Sequence, residues 1–98
     1  MKGRTPTAEE KRHMAAVRNI GCLACLNMGI ETPPEYTCIH HVEGRTKPGA
    51  HFKVLPLCDH HHSRYHKTGL HYNLTRWEAE HGTQEELLKQ TEEMLNAQ

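Results

Sequence analysis

The sequence predicts a small α+β fold, in which a β-hairpin and a helix form a zinc-stabilised core between N- and C-terminal helices. Three observations predict it. Cysteine and histidine stand in two short-spaced pairs, Cys22-Leu-Ala-Cys25 and Cys58-Asp-His-His61. Two β-rich runs, YTCIHHVEG and FKVLPLC, are separated by turn material containing Gly44, Pro48 and Gly49. Capping-box patterns, Thr7 with Glu10 and Thr83 with Glu86, open helical stretches towards both ends. The 98 residues fit one domain, spanning 1–98, and the apolar share of 36% with a single Phe and a single Trp gives a small core. Such a core calls for a staple, and a metal is one.

Each element has a local reason. Residues 1–6 precede the first capping box and are expected to be a loose tail. Glu9 and Glu10 then suit a helix N-terminus, and Gly21 can end that helix. The CLAC run reads as a metal knuckle, and Pro33 with Pro34 forces a loop after it. Two strands follow, with Pro56 expected at the end or edge of the second. Asp59 is an N-cap candidate for a helix through DHHHSRYHKT, with Gly69 as its stop. Residues 73–98 divide at Gly82 into a short helix, capped by Asn73 or Thr75 and carrying Leu74 and Trp77, and a longer one. The longer helix has an apolar stripe of Leu87, Leu88, Met94 and Leu95.

The stretch Met1–Arg18 has no apolar core of a signal peptide, and no run approaches membrane-spanning length. A cytoplasmic setting without membrane contact is therefore expected, with the four cysteines reduced and available to metal rather than paired. The formal net charge is zero, but it is unevenly spread: the tail from Trp77 carries six Glu and one Lys, while the rest is mildly basic.

Cys22, Cys25, Cys58 and His61 supply two thiol-rich half-sites with the spacing of a closed tetrahedral zinc site. His60 is an alternative fourth ligand, and Cys38, inside a strand, is expected to be a small buried side chain, with a ligand role as the alternative. Eight of the ten histidines lie between His40 and His71. His40 and His41 are adjacent on a strand, so they face opposite ways. His62 and His66 are four apart in the expected helix, so they share a face. One strand histidine plus that pair makes a three-imidazole site with open positions, the arrangement of a catalytic metal. The other histidine of the doublet has the intrinsic pKa of a general base.

The pattern from Cys22-x-x-Cys25 through CIHHVEG, KVLPLC and DHHHSRYH, residues 20–68, resembles the HNH (ββα-metal, treble-clef-like) endonucleases. HHVEGRTKPGAHFKVLPLC and WEAEHGTQEELL extend the likeness, to about residue 95, towards the phage recombination-enhancement Ref family of RecA-dependent nucleases. The resemblance implies that His40, His62 and His66 hold a catalytic divalent ion, magnesium or manganese with zinc or nickel as alternatives, while His41 is the base. HNH proteins commonly carry an Asn between the doublet and the helix. None lies between His41 and His62, and His51 is the nearest polar candidate for its place.

The implied reaction is hydrolysis of DNA phosphodiesters to 5′-phosphate and 3′-hydroxyl ends, with DNA and a RecA filament as partners. Arg45, Lys47, Lys53, Arg64 and Lys67 surround the motif in sequence and could contact phosphates. A competing reading is a zinc-stabilised DNA-binding or adaptor module with an inactive site, distinguished by having no metal-dependent cleavage. A metal-storage chain would instead bind well above two ions.

Overall fold

A computed structural model describes residues 5–44 and 46–97. Residues 1–4 of the expected tail, the phosphate-contact candidate Arg45, and Gln98 lie outside the described residues. The order of elements is α1 (Ala8–Ile20), α2 (Leu23–Asn27), β1 (Thr37–His41), β2 (Val54–Cys58), α3 (Asp59–His62), α4 (Leu74–His81) and α5 (Gln84–Asn96). Short 3-10 turns occupy Pro34–Tyr36 and Ala50–Phe52. The α+β class and the hairpin-plus-helix core are as the sequence predicts.

Both capping boxes form. The Thr7 hydroxyl accepts from the Glu10 N–H at 3.1 Å and the Glu10 carboxylate accepts from the Thr7 N–H at 2.8 Å. Thr83 and Glu86 repeat the exchange at 3.1 and 2.9 Å. Of the two candidates for the cap of α4, Asn73 is used: its side chain accepts from the Arg76 N–H. Gly21 ends α1 with φ +84, and a Cβ there would collide with the Thr32 carbonyl oxygen, so glycine is needed on both counts.

The strands pair antiparallel, with His40 opposite Leu55, His41 opposite Val54 and Ile39 opposite Pro56. The Val42 N–H donates to the Lys53 carbonyl at 3.0 Å. Counting the ladder from that pair puts Ile39 and Pro56 at a non-hydrogen-bonded position. The proline therefore sits mid-strand without costing a ladder bond, because its missing N–H would have pointed away from β1.

Leu55 and Leu57 lie fully buried in the main cluster with Cys22, Leu23, Ala24, Cys25, Cys58, Leu70, Trp77 and Leu87, and Val42, Leu88 and Met94 pack around it. Full burial of each leucine stabilises by about 2–3 kcal/mol. α1 packs on both strands and on the Ala50–Phe52 turn, while α2 and α5 pack on β2.

The expected helix from Asp59 is cut short. α3 is a single turn that ends at His62, where Ser63 turns to an extended backbone with φ −75 and ψ 142. The Ser63 hydroxyl accepts from the Tyr65 N–H at 3.1 Å, and the Thr68 hydroxyl donates to the His60 carbonyl at 2.7 Å. The chain then runs back beside α3: the Leu70 N–H donates to the His61 carbonyl at 2.9 Å and the His71 N–H to the His62 carbonyl at 3.3 Å. Gly69 makes the return possible, since a Cβ there would collide with the Ser63 carbonyl. Buried Leu70, 3% exposed, anchors the reversal in the core. A local helical pattern thus yields to a long-range apolar contact.

Candidate metal centres

The first centre is built from two chain breaks. Cys22 is the N-cap of α2, and its sulfur accepts from the Cys25 N–H at 3.4 Å. Cys58 closes β2 and serves as the N-cap of α3, which places His61 one turn later. The three sulfurs lie 3.5 Å (Cys22), 3.4 Å (Cys25) and 3.2 Å (Cys58) from His61 Nδ1, and Cys25 and Cys58 stand 3.8 Å apart. Ordinary zinc bond lengths in a tetrahedron give edges of about 3.6 Å from sulfur to nitrogen and about 3.8 Å between sulfurs. The quartet therefore fits a structural metal such as zinc.

Burial pushes the Cys22 thiol up to about 12 and raises Cys58 as well. Without an ion, the Cys22 and Cys58 thiols stay protonated; a bound ion would take the sulfurs as thiolates. His61, not His60, completes the set. Its pKa is lowered first by burial and then by His81, whose ring stands 5.2 Å away, so it remains a neutral ligand. His60 is exposed and stacks on His66 at 4.2 Å. Cys38 is half-buried and stands apart from the quartet.

The second centre brings together His40, His62 and His71, whose ligand atoms all lie within 4.8 Å of one another. Their rings meet edge to face at 4.9–5.2 Å. A cavity of 240 Å³ opens over them, lined also by Ile39, His41 and Gly44. His40 is buried, His62 half-buried and His71 exposed, so the group has a closed side and an open one. His40 Nε2 lies 2.7 Å from Gln84 Oε1 at the start of α5. Burial lowers the His40 pKa to about 4; the neighbouring imidazoles add to this and the Gln84 bond opposes it. Its ring is thus neutral and ready to coordinate at neutral pH. A larger cavity of 560 Å³ lies beside the cysteine knot, lined by Tyr36 and Cys38 among others, and contains none of this trio.

His66 is not in the group. Because α3 ends at His62, the four-residue spacing no longer means a shared helical face. His66 Nε2 instead bonds to Asp59 Oδ2 at 2.8 Å. The third imidazole beside His40 and His62 is His71, delivered by the chain reversal. Sequence reasoning passed over His71 and Gln84. The signal for His71 was its place just after Gly69-Leu70, a turn residue followed by an apolar anchor.

His41, on the opposite face of β1 from His40, meets His51. His41 Nε2 lies 2.9 Å from His51 Nδ1, with the rings 82° apart. His51 is 4% exposed and is held in the Ala50–Phe52 turn, which Gly49 enters with φ +78. A buried imidazole therefore grips the half-buried doublet member.

The basic candidates are dispersed. Lys47 is exposed in the hairpin loop. Lys53 pairs with Glu43 at 3.4 Å. Arg64 lies over the Tyr65 ring and bonds its hydroxyl at 3.2 Å. Lys67 lines a separate small cavity with Arg76 and Trp77.

Two outcomes follow from the centres. Stripping the Cys22–Cys25–Cys58–His61 ion with a strong chelator abolishes the helical circular-dichroism signal, and zinc restores it; full helicity with no bound metal would contradict this. In protein carrying only that ion, stability falls as pH drops from 6.5 towards 4. Across that window the unfolded chain binds a proton at His40 and the native chain does not. The loss is of the order of 2 kcal/mol, read as a lower urea midpoint at pH 5 than at pH 7; equal midpoints would contradict it.

Among the described residues no helix is long and apolar enough to cross a membrane. Comparison with known protein families matches residues 6–96 to the family described as recombination enhancement, RecA-dependent nuclease. The match covers the knuckle, the hairpin, both metal centres and all of α5. The chain belongs to this family of RecA-dependent recombination-enhancement nucleases.

Proposed function

We propose that this protein is a metal-dependent DNA endonuclease of the HNH type, acting on DNA engaged by RecA during recombination. The observation that carries the reading is the juxtaposition of an open three-imidazole centre with a histidine pair. His40, His62 and His71 line the same cavity as His41, and His41 is braced by His51. Membership of the nuclease family supports the substrate and the RecA partner.

His40, His62 and His71 would hold one divalent ion. When bound, that ion supplies positive charge to the scissile phosphate and to the leaving oxygen. Three neutral imidazoles suit this, because they leave the charge of the ion uncancelled, whereas thiolates would neutralise it. His41 accepts the proton of the attacking water through one ring nitrogen. The contact of its Nε2 with His51 fixes the plane of the ring and supports the imidazolium that forms, the role of an orienting partner. Water oxygen bonds to phosphorus as the bond to the 3′-oxygen breaks. A solvent proton completes the 3′-hydroxyl, and the phosphate stays on the 5′ end.

Lys47 and Arg64 are exposed and suited to phosphate contacts, which predicts strong salt dependence and little sequence preference. Magnesium and manganese are the expected catalytic ions, with zinc and nickel compatible with imidazole ligands.

The test is cleavage of single-stranded, duplex and RecA-coated DNA with each metal. His41→Ala lowers the rate by about 10²–10⁴-fold while retaining the parent's metal content and fold. His51→Ala lowers it less and displaces the pH–rate profile. Cleavage by His41→Ala at the parental rate would remove the base assignment. Salt-sensitive DNA binding without cleavage under any condition would favour the inactive adaptor reading.

A further inference from the structure

We propose that Gln84 is a positioning residue for the second metal centre: it fixes the orientation and tautomer of His40, so that Nδ1 is presented to the ion. The inference rests on the reading of His40, His62 and His71 as a metal site.

Gln84 is placed by more than its own side chain. It is the first residue of α5, and the Thr83–Glu86 capping box sets where that helix begins. Its N–H donates to Glu78 Oε2 of α4 at 2.9 Å, so the neighbouring helix also holds it. One turn on, Leu87 and then Thr91 are buried, which roots α5 in the core. The half-buried Gln84 side chain reaches from this rigid start to a residue 44 positions earlier, with Oε1 at 2.7 Å from His40 Nε2.

The chemistry of that contact is directional. An amide oxygen can only accept, so the imidazole nitrogen facing it must carry the hydrogen. A neutral imidazole has one N–H, which leaves the lone pair on Nδ1. Coordination of an ion shared with His62 and His71 then proceeds through Nδ1, while Nε2–H is retained by Gln84. Partners of this kind orient metal-ligating histidines, and losing one typically costs 10–100-fold in metal affinity. His40 is the buried member of the trio, with least freedom to seek water as a substitute donor or acceptor. The family's chemistry at β1 thus depends on a residue at the start of the last helix, far away in sequence and outside the hairpin-and-helix core.

The test compares parent, Gln84→Ala and Gln84→Glu, each with zinc in the cysteine knot and Co²⁺ titrated into the second centre. Gln84→Ala weakens Co²⁺ binding by about 10–100-fold at unchanged melting temperature. Gln84→Glu, which keeps an acceptor oxygen, binds as tightly as the parent or more so. Long-range ¹H–¹⁵N NMR of the zinc-loaded parent reports His40 as the Nε2–H tautomer with Nδ1 coordinated, and in Gln84→Ala that single tautomer is lost. Parental affinity and tautomer in Gln84→Ala, or Nε2 coordination in the parent, would overturn the proposal. A parent that binds no second ion overturns both this role and the catalytic reading. A parent that loads Co²⁺ with these signatures but leaves DNA intact overturns the nuclease reading alone.

Discussion

The contact of three buried sulfurs with one imidazole is the constraint on which the other features depend. Cys22 and Cys25 belong to the turn that leaves α1, and Cys58 and His61 to the turn that leaves β2. Holding them together fixes the start of α2 against the end of the hairpin, around which Leu23, Leu55 and Leu57 close the core. A chain with so little apolar mass has small margin otherwise. Because an ion would convert raised-pKa thiols into thiolates, the binding energy of the knot becomes folding energy.

The knot also sets the geometry of the second centre. His61 and His62 are neighbours on a one-turn helix; the first turns into the knot and the second faces the open cavity. The two centres are therefore one residue apart in sequence but opposite in character. The first combines thiolates with burial and is closed. The second combines imidazoles with an exposed edge, so on the proposed reading an ion held there would keep its charge for a phosphate. Strand pleating makes a second division at His40 and His41, sending one ring towards His62 and His71 and the other to His51. Adjacent histidines thus enter three separate surroundings because strand and helix geometry separate them.

Much of this was legible in the sequence, and the reasons are local. The two half-sites of the knot are short-range motifs whose spacing fits a tetrahedral site, with His60 or His61 left open as its fourth member. The capping boxes of α1 and α5 and the hairpin are also decided by nearby residues. The helix expected to run on to His66 was a different kind of reading. The four-residue rule holds only while the helix continues, and α3 stops at His62, where the chain reverses to carry Leu70 into the core, a long-range contact that local pattern does not express. The same reversal carries His71 into place. Gln84 was illegible for a related reason, since its partner lies on a strand 44 residues away. His51, by contrast, was selected only because an Asn was missing, and the structure gives it a direct partner in His41.

Whether the open centre is formed by the reversed segment or by a continued helix decides between two pictures of the same sequence. The direct measurement is a comparison of His71→Ala with His66→Ala, scoring the second bound ion by mass spectrometry of the native protein and manganese-dependent DNA cleavage together. The structure predicts that His71→Ala loses the second ion and at least about 10²-fold in cleavage, while His66→Ala keeps both near parental levels. Loss of ion and cleavage in His66→Ala with retention in His71→Ala would contradict the trio of His40, His62 and His71.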